Sequence, residues 1–183
     1  MIYGEQVRLR AVERDDLPHY VEWLNDPEVR RGLNAVFPLS AVEEEAWFEN
    51  LLDRPEAERP LAIDALEGER WIHIGGCGLF DYEKRARRAE LGIMIGDKSR
   101  WDQGYGTDAM QVLLRHGFET LNLHRIKLRV FEFNERAIEV YRRLGFVEEG
   151  RLRDEQYLEG RYWDTLVMGL LRSEWKARYG EES

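Results

Sequence analysis

The second half of the chain changes from extended to helical periodicity and back twice. Extended runs at residues 90–95 and Arg125–Phe131 enclose a segment from Tyr105 onward whose apolar residues recur at helical spacing. A further helical segment follows Asn134, which can cap it, and Gly145 suits a left-handed helix end. This strand-helix-strand-helix order predicts a mixed sheet of the α/β (α+β) class.

The first part of the chain adds one strand and two helices. Residues 7–10 alternate apolar and basic side chains, which predicts a half-buried strand. Residues 15–18 carry two acids and a proline, which is typical of the first turn of a helix. Ser40 and Glu43 have capping-box spacing ahead of several apolar residues, so another helix is expected there.

Two hairpins complete the predicted sheet. Residues 61–66 and 71–82 are extended runs separated by a turn, and residues 90–95 continue them as an antiparallel meander. Residues 147–157 and 162–171 are separated around a Glu-Gly pair, which indicates a closing hairpin. A short C-terminal tail is expected after it.

Length and charge limit the class of protein. With 183 residues, we expect one domain over residues 1–183. The formal net charge of −9 argues against a nucleic-acid partner and favours cationic amines. No apolar run reaches the ~20 residues of a membrane span, and no signal-peptide pattern is present. We therefore expect a cytoplasmic protein without a membrane partner.

The cysteine and the histidines give little sign of metal chemistry. Cys77 is the single cysteine, so it can form neither an internal disulfide nor a two-cysteine metal site. A nucleophilic role for Cys77 stays open, although a structural role is favoured. His19, His73, His116 and His124 are scattered without metal-ligand spacing. We therefore predict no bound metal.

The junction between a strand and a helix at residues 101–107 reads Trp-Asp-Gln-Gly-Tyr-Gly-Thr. Glycines at such a junction allow backbone N–H groups to converge on a phosphate at the helix N-terminus. The segment is therefore a candidate pyrophosphate cradle. The alternative is that the two glycines only make a tight turn.

A dinucleotide-binding reading of the same glycines is weaker. Gly104, Gly106 and Ala109 satisfy the G-x-G-x-x-A pattern, and Glu132 could serve as its ribose-binding acid. However, the eight residues 96–103 separate the strand from the first glycine, and too few alternating units follow for a doubly wound sheet. A nucleoside-triphosphatase loop is excluded because no Gly-Lys-Ser or Gly-Lys-Thr follows.

Residues 134–146, one strand after the glycine loop, resemble the second half of the coenzyme A site of the Gcn5-related N-acetyltransferase (GNAT) family. The loop pattern of that family, Arg or Gln, two residues, Gly, one residue, then Gly or Ala, is matched at Gly104 and Gly106. Trp101 stands in the Arg or Gln position. That departure resembles the Rim-type branch, which acetylates ribosomal proteins.

Further segments extend the resemblance over essentially the whole chain. Residues 121–125 and 145–150 are similar to the Rim-type branch and to the spermidine N-acetyltransferases, and residues 23–29 carry another Rim-type signature. The resemblance implies the GNAT fold, a mostly antiparallel mixed sheet with two splayed parallel strands and flanking helices. Here those strands would be residues 90–95 and Arg125–Phe131.

The resemblance also implies where acetyl-coenzyme A, the co-substrate, would bind. The pantetheine arm would lie between the two parallel strands and pair with the main chain at Met94 and Ile95. The pyrophosphate would be held by backbone N–H groups and the helix dipole, at Gln103, Gly104, Tyr105, Gly106 and Thr107. Asn134 would reach the cofactor from the other side, although plain helix capping explains it as well.

Two side chains are implied in catalysis. Glu90 would accept the amine proton directly or through water, and its alternative is a surface ion pair with Arg87 or Arg88. The family places the proton donor to the departing thiolate at Tyr141, for which core packing is the alternative. A main-chain N–H near Ile95 could stabilise the oxyanion.

The sequence says least about which amine accepts the acetyl group. The helices that border the acceptor site in this family carry Trp23, Trp47 and Phe48 here. These side chains line that site or pack in the core. Residues 43–45 form an acidic patch that could attract polyamines, although the helix dipole also explains it. We favour a protein N-terminal amine or a small amine, with a polyamine as the nearest alternative. A non-catalytic acyl-coenzyme A binding module is the alternative of another class, and a homodimer is the default.

Overall fold

The computed structural model describes residues 1–33 and 36–180. Within them the strands are β1 (Ile2–Tyr3), β2 (Val7–Ala11), β3 (Leu61–Glu67), β4 (Arg70–Glu83), β5 (Arg88–Ile95), β6 (Arg125–Phe131), β7 (Val147–Leu158) and β8 (Arg161–Leu171). The α-helices are α1 (Leu17–Asn25), α2 (Pro27–Arg30), α3 (Ala41–Glu49), α4 (Tyr105–Arg115), α5 (Glu135–Leu144) and α6 (Arg172–Tyr179). A π-helical turn, His116–Thr120, continues α4.

The strands form a mixed sheet in the order β1-β2-β3-β4-β5-β6-β8-β7. β5 and β6 are parallel, and their register runs from Arg88 opposite Arg125 to Glu90 opposite Lys127. The ladders of β2 with β3, β3 with β4, and β8 with both β6 and β7 are antiparallel. The first three residues of β6 pair with β5, whereas all seven pair with β8. The predicted mixed, mostly antiparallel sheet with one parallel pair is therefore confirmed.

Local signals explain why most elements begin and end where they do. The Ser40 hydroxyl accepts from the Glu43 N–H at 3.2 Å and the Glu43 carboxylate accepts from the Ser40 N–H at 2.9 Å, so the predicted capping box starts α3. Gly145 ends α5 at a φ of 101°. Glu159 and Gly160, at φ values of 55° and 82°, make the tight turn between β7 and β8.

The C-terminal segment corrects one prediction. Residues after β8 were expected to be a tail, but Arg172–Tyr179 form α6. The indole of Trp175 is buried there, and its ring lies 5.5 Å from the ring of Phe118. α6 buries one side chain among its described residues, which leaves too weak a periodic pattern for prediction.

The chain divides into two compact units. Unit 1 comprises Met1–Phe80 and Gly92–Arg115, and unit 2 comprises Asp81–Leu91 and His116–Ser183. Unit 1 has its own apolar cluster around Tyr20 and Trp23, which lie on α1. In unit 2, alternate residues of β6 are buried, and these are Ile126, Leu128 and Val130.

Asp108 fixes the start of the chain to α4 in unit 1. Its buried carboxylate accepts hydrogen bonds from the backbone N–H groups of Glu5 at 3.1 Å, Gln6 at 2.7 Å and Val7 at 3.0 Å. A Cβ at Gly4 would lie 2.5 Å from the same carboxylate, so the backbone approaches it closely. Charge-assisted bonds of this kind are stronger than neutral ones.

We expect Asp108→Ala to lower the free energy of unfolding by about 2–4 kcal/mol, because three backbone donors lose a charged acceptor. Urea denaturation measures the loss. Asp53→Ala, which removes an exposed carboxylate, is the matched control and is expected to change stability by less than about 0.5 kcal/mol. A change of that small size for Asp108→Ala would contradict the anchoring role.

Candidate functional site

The glycine loop in unit 1 turns the chain into α4. Gly104 has a φ of +88°, a conformation that favours glycine. Its carbonyl accepts the first helical hydrogen bond, from the Asp108 N–H at 3.0 Å. The N–H groups of the first turn, at Tyr105, Gly106 and Thr107, therefore have no acceptor inside the helix. Because these residues are exposed or half-buried, the positive end of α4 is accessible to an anion.

Two side chains of the loop are engaged within unit 1. The Gln103 side-chain amide donates to the Ser99 carbonyl at 2.5 Å, which holds the side chain against the preceding turn. The Trp101 indole N–H donates to the Ile95 carbonyl at 2.8 Å. Tryptophan in the Arg or Gln position of the family pattern thus ties the loop to the end of β5.

The end of β5 lies close to the loop and to β4. A Cβ at Gly106 would lie 3.5 Å from the Ile95 side chain, which is an ordinary contact. A Cβ at Gly75 on β4 would lie only 2.1 Å from the Met94 carbonyl oxygen, so no larger residue fits there. Unit 1 therefore brings Met94, Ile95 and the glycine loop together, and their role in a cofactor site stays a prediction.

A polar cluster beside Gly75 was missed from the sequence. The Tyr20 hydroxyl donates to the Gly75 carbonyl at 3.4 Å, and the His73 ring nitrogen Nε2 lies 2.9 Å from the same carbonyl. His73 Nδ1 lies 3.3 Å from Asp16 Oδ1 and 3.4 Å from His19 Nδ1. Two of the four histidines, expected to be scattered, therefore meet. Helix α1 and strand β4 are far apart in sequence, and only their packing brings these groups together.

Burial and neighbouring charges shift the pKa values of His73 and Asp16 in this cluster. Burial lowers the pKa of His73, against the raising effect of the Asp16 carboxylate. Burial raises the pKa of Asp16, but hydrogen bonds from Arg10 at 2.7 and 2.8 Å and from the Glu13 N–H at 2.8 Å, together with the charges of His73 and Arg10, hold that pKa below its usual range.

The acids at residues 43–45 do not form one surface patch. Glu43 closes the capping box, and Glu45 pairs with Arg14. Glu44 faces inward, where its side chain is 5% exposed and burial raises its pKa. Trp47 packs against the apolar cluster together with Trp23, as the core-packing alternative predicted.

In unit 2, Glu90 forms ion pairs with other partners than expected. Its carboxylate lies 2.8 Å from Lys127 Nζ and 3.6 Å from Arg129 Nε. The predicted alternative, a pair with Arg87 or Arg88, is therefore wrong. The cause is the parallel register, which sets Glu90 opposite Lys127 on β6. Glu90 is half-buried, and its carboxylate is oriented by these two cations.

Asn134 caps α5 in unit 2. Its side-chain oxygen accepts from the Ala137 N–H at 3.3 Å. The capping role is thus confirmed, and the side-chain NH₂ group remains as a donor for a ligand.

Tyr141 lies on α5, one turn before the left-handed end of the helix. Its ring centroid is 6.1 Å from that of Phe146, and burial raises the pKa of the phenol to about 12. Within the described part of the chain, its hydroxyl makes no hydrogen bond. Tyr141 therefore keeps its proton at neutral pH and has it available.

Cys77 is buried on β4, and burial raises the pKa of its thiol to about 12. We therefore expect Cys77→Ala to change the catalytic rate less than twofold, and iodoacetamide to leave the folded protein active, because the thiolate is the reactive form. Protein unfolded in urea, which should be alkylated, is the control. Stoichiometric inactivation of the folded protein at neutral pH would instead indicate a nucleophilic cysteine.

The described residues show neither a metal site nor a membrane-spanning helix. No group of three or more His, Cys, Asp or Glu side chains in residues 1–33 and 36–180 is arranged to hold a metal ion. None of the helices described here is both long and apolar enough to span a membrane.

Comparisons with known proteins identify the family. The model of the acetyltransferase (GNAT) domain family matches residues 6–147. The chain therefore belongs to the GNAT family and is an acetyl-CoA-dependent N-acetyltransferase. The glycine loop at the start of α4 is consistent with this co-substrate, since it offers main-chain N–H groups to a pyrophosphate.

Its relatives include enzymes with different acceptors. Spermidine N(1)-acetyltransferase of Escherichia coli K12 is 30% identical over 96% of this chain and 91% of that protein. YdaF of Bacillus subtilis, named as a candidate ribosomal N-acetyltransferase, is 28% identical over 94% of this chain and 95% of that protein. The structure of Vibrio cholerae spermidine N-acetyltransferase with CoA and spermine has a TM-score of 0.83 at 31% identity, covering 94% of this chain and 99% of that one.

Proposed function

We propose that the chain transfers the acetyl group of acetyl-CoA to a protein N-terminal amine or a small amine, by direct attack in a ternary complex. The observation that carries this proposal is the accessible N-terminus of α4 behind the glycine loop, in a chain of the GNAT family. The new C–N bond forms as the C–S bond of the thioester breaks, and the thiolate takes up a proton.

The co-substrate would be held mainly by backbone groups of unit 1. In this proposal the N–H groups of Gln103, Gly104, Tyr105, Gly106 and Thr107 bind the pyrophosphate, supported by the helix dipole. Met94 and Ile95 pair with the amides of the pantetheine arm. The Ile95 carbonyl accepts from Trp101, and in this proposal the Ile95 N–H serves the ligand or the oxyanion.

Residues of unit 2 would supply the proton transfers. We assign Glu90 as the base that accepts the amine proton, directly or through water. Tyr141 is assigned as the donor to the thiolate, which its available proton supports. Asn134 contacts the co-substrate with its free NH₂ group while its oxygen caps α5.

A polyamine acceptor is the second candidate. It is supported by the named spermidine N-acetyltransferases among the relatives and by the net charge of −9, which attracts polycations. A homodimer and a single domain over residues 1–183 stay predictions, which light scattering and limited proteolysis test.

An acceptor panel tests the proposed function. Purified protein with acetyl-CoA is offered spermidine, and short peptides with free or blocked N-termini, and acetylated products are identified by mass spectrometry. Acetylation of free but not blocked peptides, depending on their first residues, supports the N-terminal acceptor. Spermidine acetylation that salt strongly weakens supports the polyamine. If the protein binds acetyl-CoA but acetylates no amine of the panel, the proposed amine acceptors are contradicted.

A further inference from the structure

We infer that Glu44 is a specificity-determining residue, which binds a second positive charge of the acceptor and so favours diamines and polyamines over monoamines. This inference rests on the proposed function, since it assigns one residue of the acceptor site. The buried carboxyl group of Glu44 does not stabilise the fold through a partner, and it has no role in the proposed proton transfers.

Glu44 is a buried acid that has no partner within the described part of the chain. Its side chain is 5% exposed, and among residues 1–33 and 36–180 its carboxyl group has neither a hydrogen bond nor an ion pair. Burying a carboxyl group without a partner is unfavourable. Burial raises the pKa of Glu44, which is the expected response to such a site. A cation bound beside it would favour the ionised form.

Two arginines of unit 1 already pair with other acids. Arg14 pairs with Glu45, and Arg10 pairs with Asp16 at 2.7 Å and with Asp64 at 2.9 Å. Neither arginine pairs with Glu44 in the part of the chain that the structure describes, so in this proposal the Glu44 carboxyl group is open to a cation from outside.

Two aromatic side chains share the helix face of Glu44. Trp47 and Phe48 lie three and four residues later on α3, so they share its face of the helix. The ring of Tyr20 lies 6.1 Å from that of Trp47, and the charge of Glu44 is one of the causes that raise the pKa of Tyr20, after burial and Asp16. A carboxylate beside aromatic faces is a favourable site for an ammonium group.

This region of unit 1 continues to the proposed cofactor strand. Tyr20 donates to the Gly75 carbonyl, and Gly75 packs against the Met94 carbonyl. Met94 also packs against the apolar cluster that contains Tyr20. In this proposal the reacting amine of the acceptor lies at Met94, and its second cation extends past Tyr20 to Glu44.

Matched amine pairs test this inference. The parent protein, Glu44→Gln and Glu49→Gln are assayed with butylamine against 1,4-diaminobutane, and with octylamine against 1,8-diaminooctane. Gln keeps the shape of Glu44 and removes its charge, whereas Glu49→Gln removes an exposed charge from the same helix. We expect Glu44→Gln to lower kcat/KM about tenfold or more for at least one diamine. The corresponding monoamine is expected to change less than twofold, and Glu49→Gln is expected to change neither.

Equal losses for diamine and monoamine, or no loss for either diamine, would overturn the role of Glu44. If the parent acetylates none of these amines, the small-amine part of the proposed function fails, and calorimetric binding decides the inference separately. With CoA present, diamine binding to the parent that weakens in Glu44→Gln but not in Glu49→Gln supports the role. Absent or unchanged diamine binding would contradict it.

Discussion

Replacement of Tyr141 by phenylalanine is expected to lower kcat at least about tenfold, a typical size for a lost general acid. The ring and its packing against Phe146 remain, so the affinity for acetyl-CoA should change less than twofold. The reason is that the phenol of Tyr141 holds a proton that it can donate to the thiolate. Burial raises the pKa of Tyr141 to about 12, and the hydroxyl makes no hydrogen bond within the described residues.

Steady-state kinetics and calorimetric titration of acetyl-CoA separate these two quantities. Tyr157→Phe, which removes an exposed hydroxyl from the β7–β8 hairpin, is the matched control and should be neutral. Because Tyr141 is protonated up to about pH 12, the parent should show no loss of rate assignable to Tyr141 between pH 7 and 10. An unchanged kcat in Tyr141→Phe would remove this residue from the proton-donor role.

Replacement of Gly106 by valine is expected to weaken acetyl-CoA binding by about tenfold or more, because a branched side chain intrudes where the pyrophosphate approaches the backbone. The variant should fold, since Gly106 is in ordinary helical geometry and its Cβ would lie 3.5 Å from the Ile95 side chain. The β-branched residue itself costs less than about 1 kcal/mol in a helix.

Calorimetric titration of CoA measures the effect, with thermal unfolding as the check on folding. Gly150→Val is the control, because a Cβ there meets nothing within 4 Å and Gly150 lies on the β7 strand. Normal CoA affinity in a folded Gly106→Val variant would exclude the glycine loop as the pyrophosphate site.

Features with local signals were predictable from the sequence. The capping box at Ser40, the left-handed end at Gly145 and the Asn134 cap each depend on a few neighbouring residues. The glycine loop is also a feature with a local signal, since two glycines and the start of a helix define it. Elements with little periodic pattern, such as β1, α2 and α6, were not predicted.

Features that depend on packing were not predictable. The ion pairs of Glu90 with Lys127 and Arg129 require the parallel register of β5 and β6. The contact of His73 with Asp16 requires the docking of the α1 region on β4. Glu44 was grouped with its acidic neighbours because the sequence does not state which of the three turns inward.

The initial-velocity pattern of acetyl transfer tests the central claim most directly. Acetyl-CoA and one active amine from the acceptor panel are varied together, and free thiol and acetylated amine are both measured. Direct attack in a ternary complex predicts intersecting double-reciprocal lines and one thiol released per amine acetylated. Parallel lines, or thiol release in the absence of amine that leaves the protein acetylated, would indicate a covalent acetyl-enzyme and contradict the mechanism proposed here.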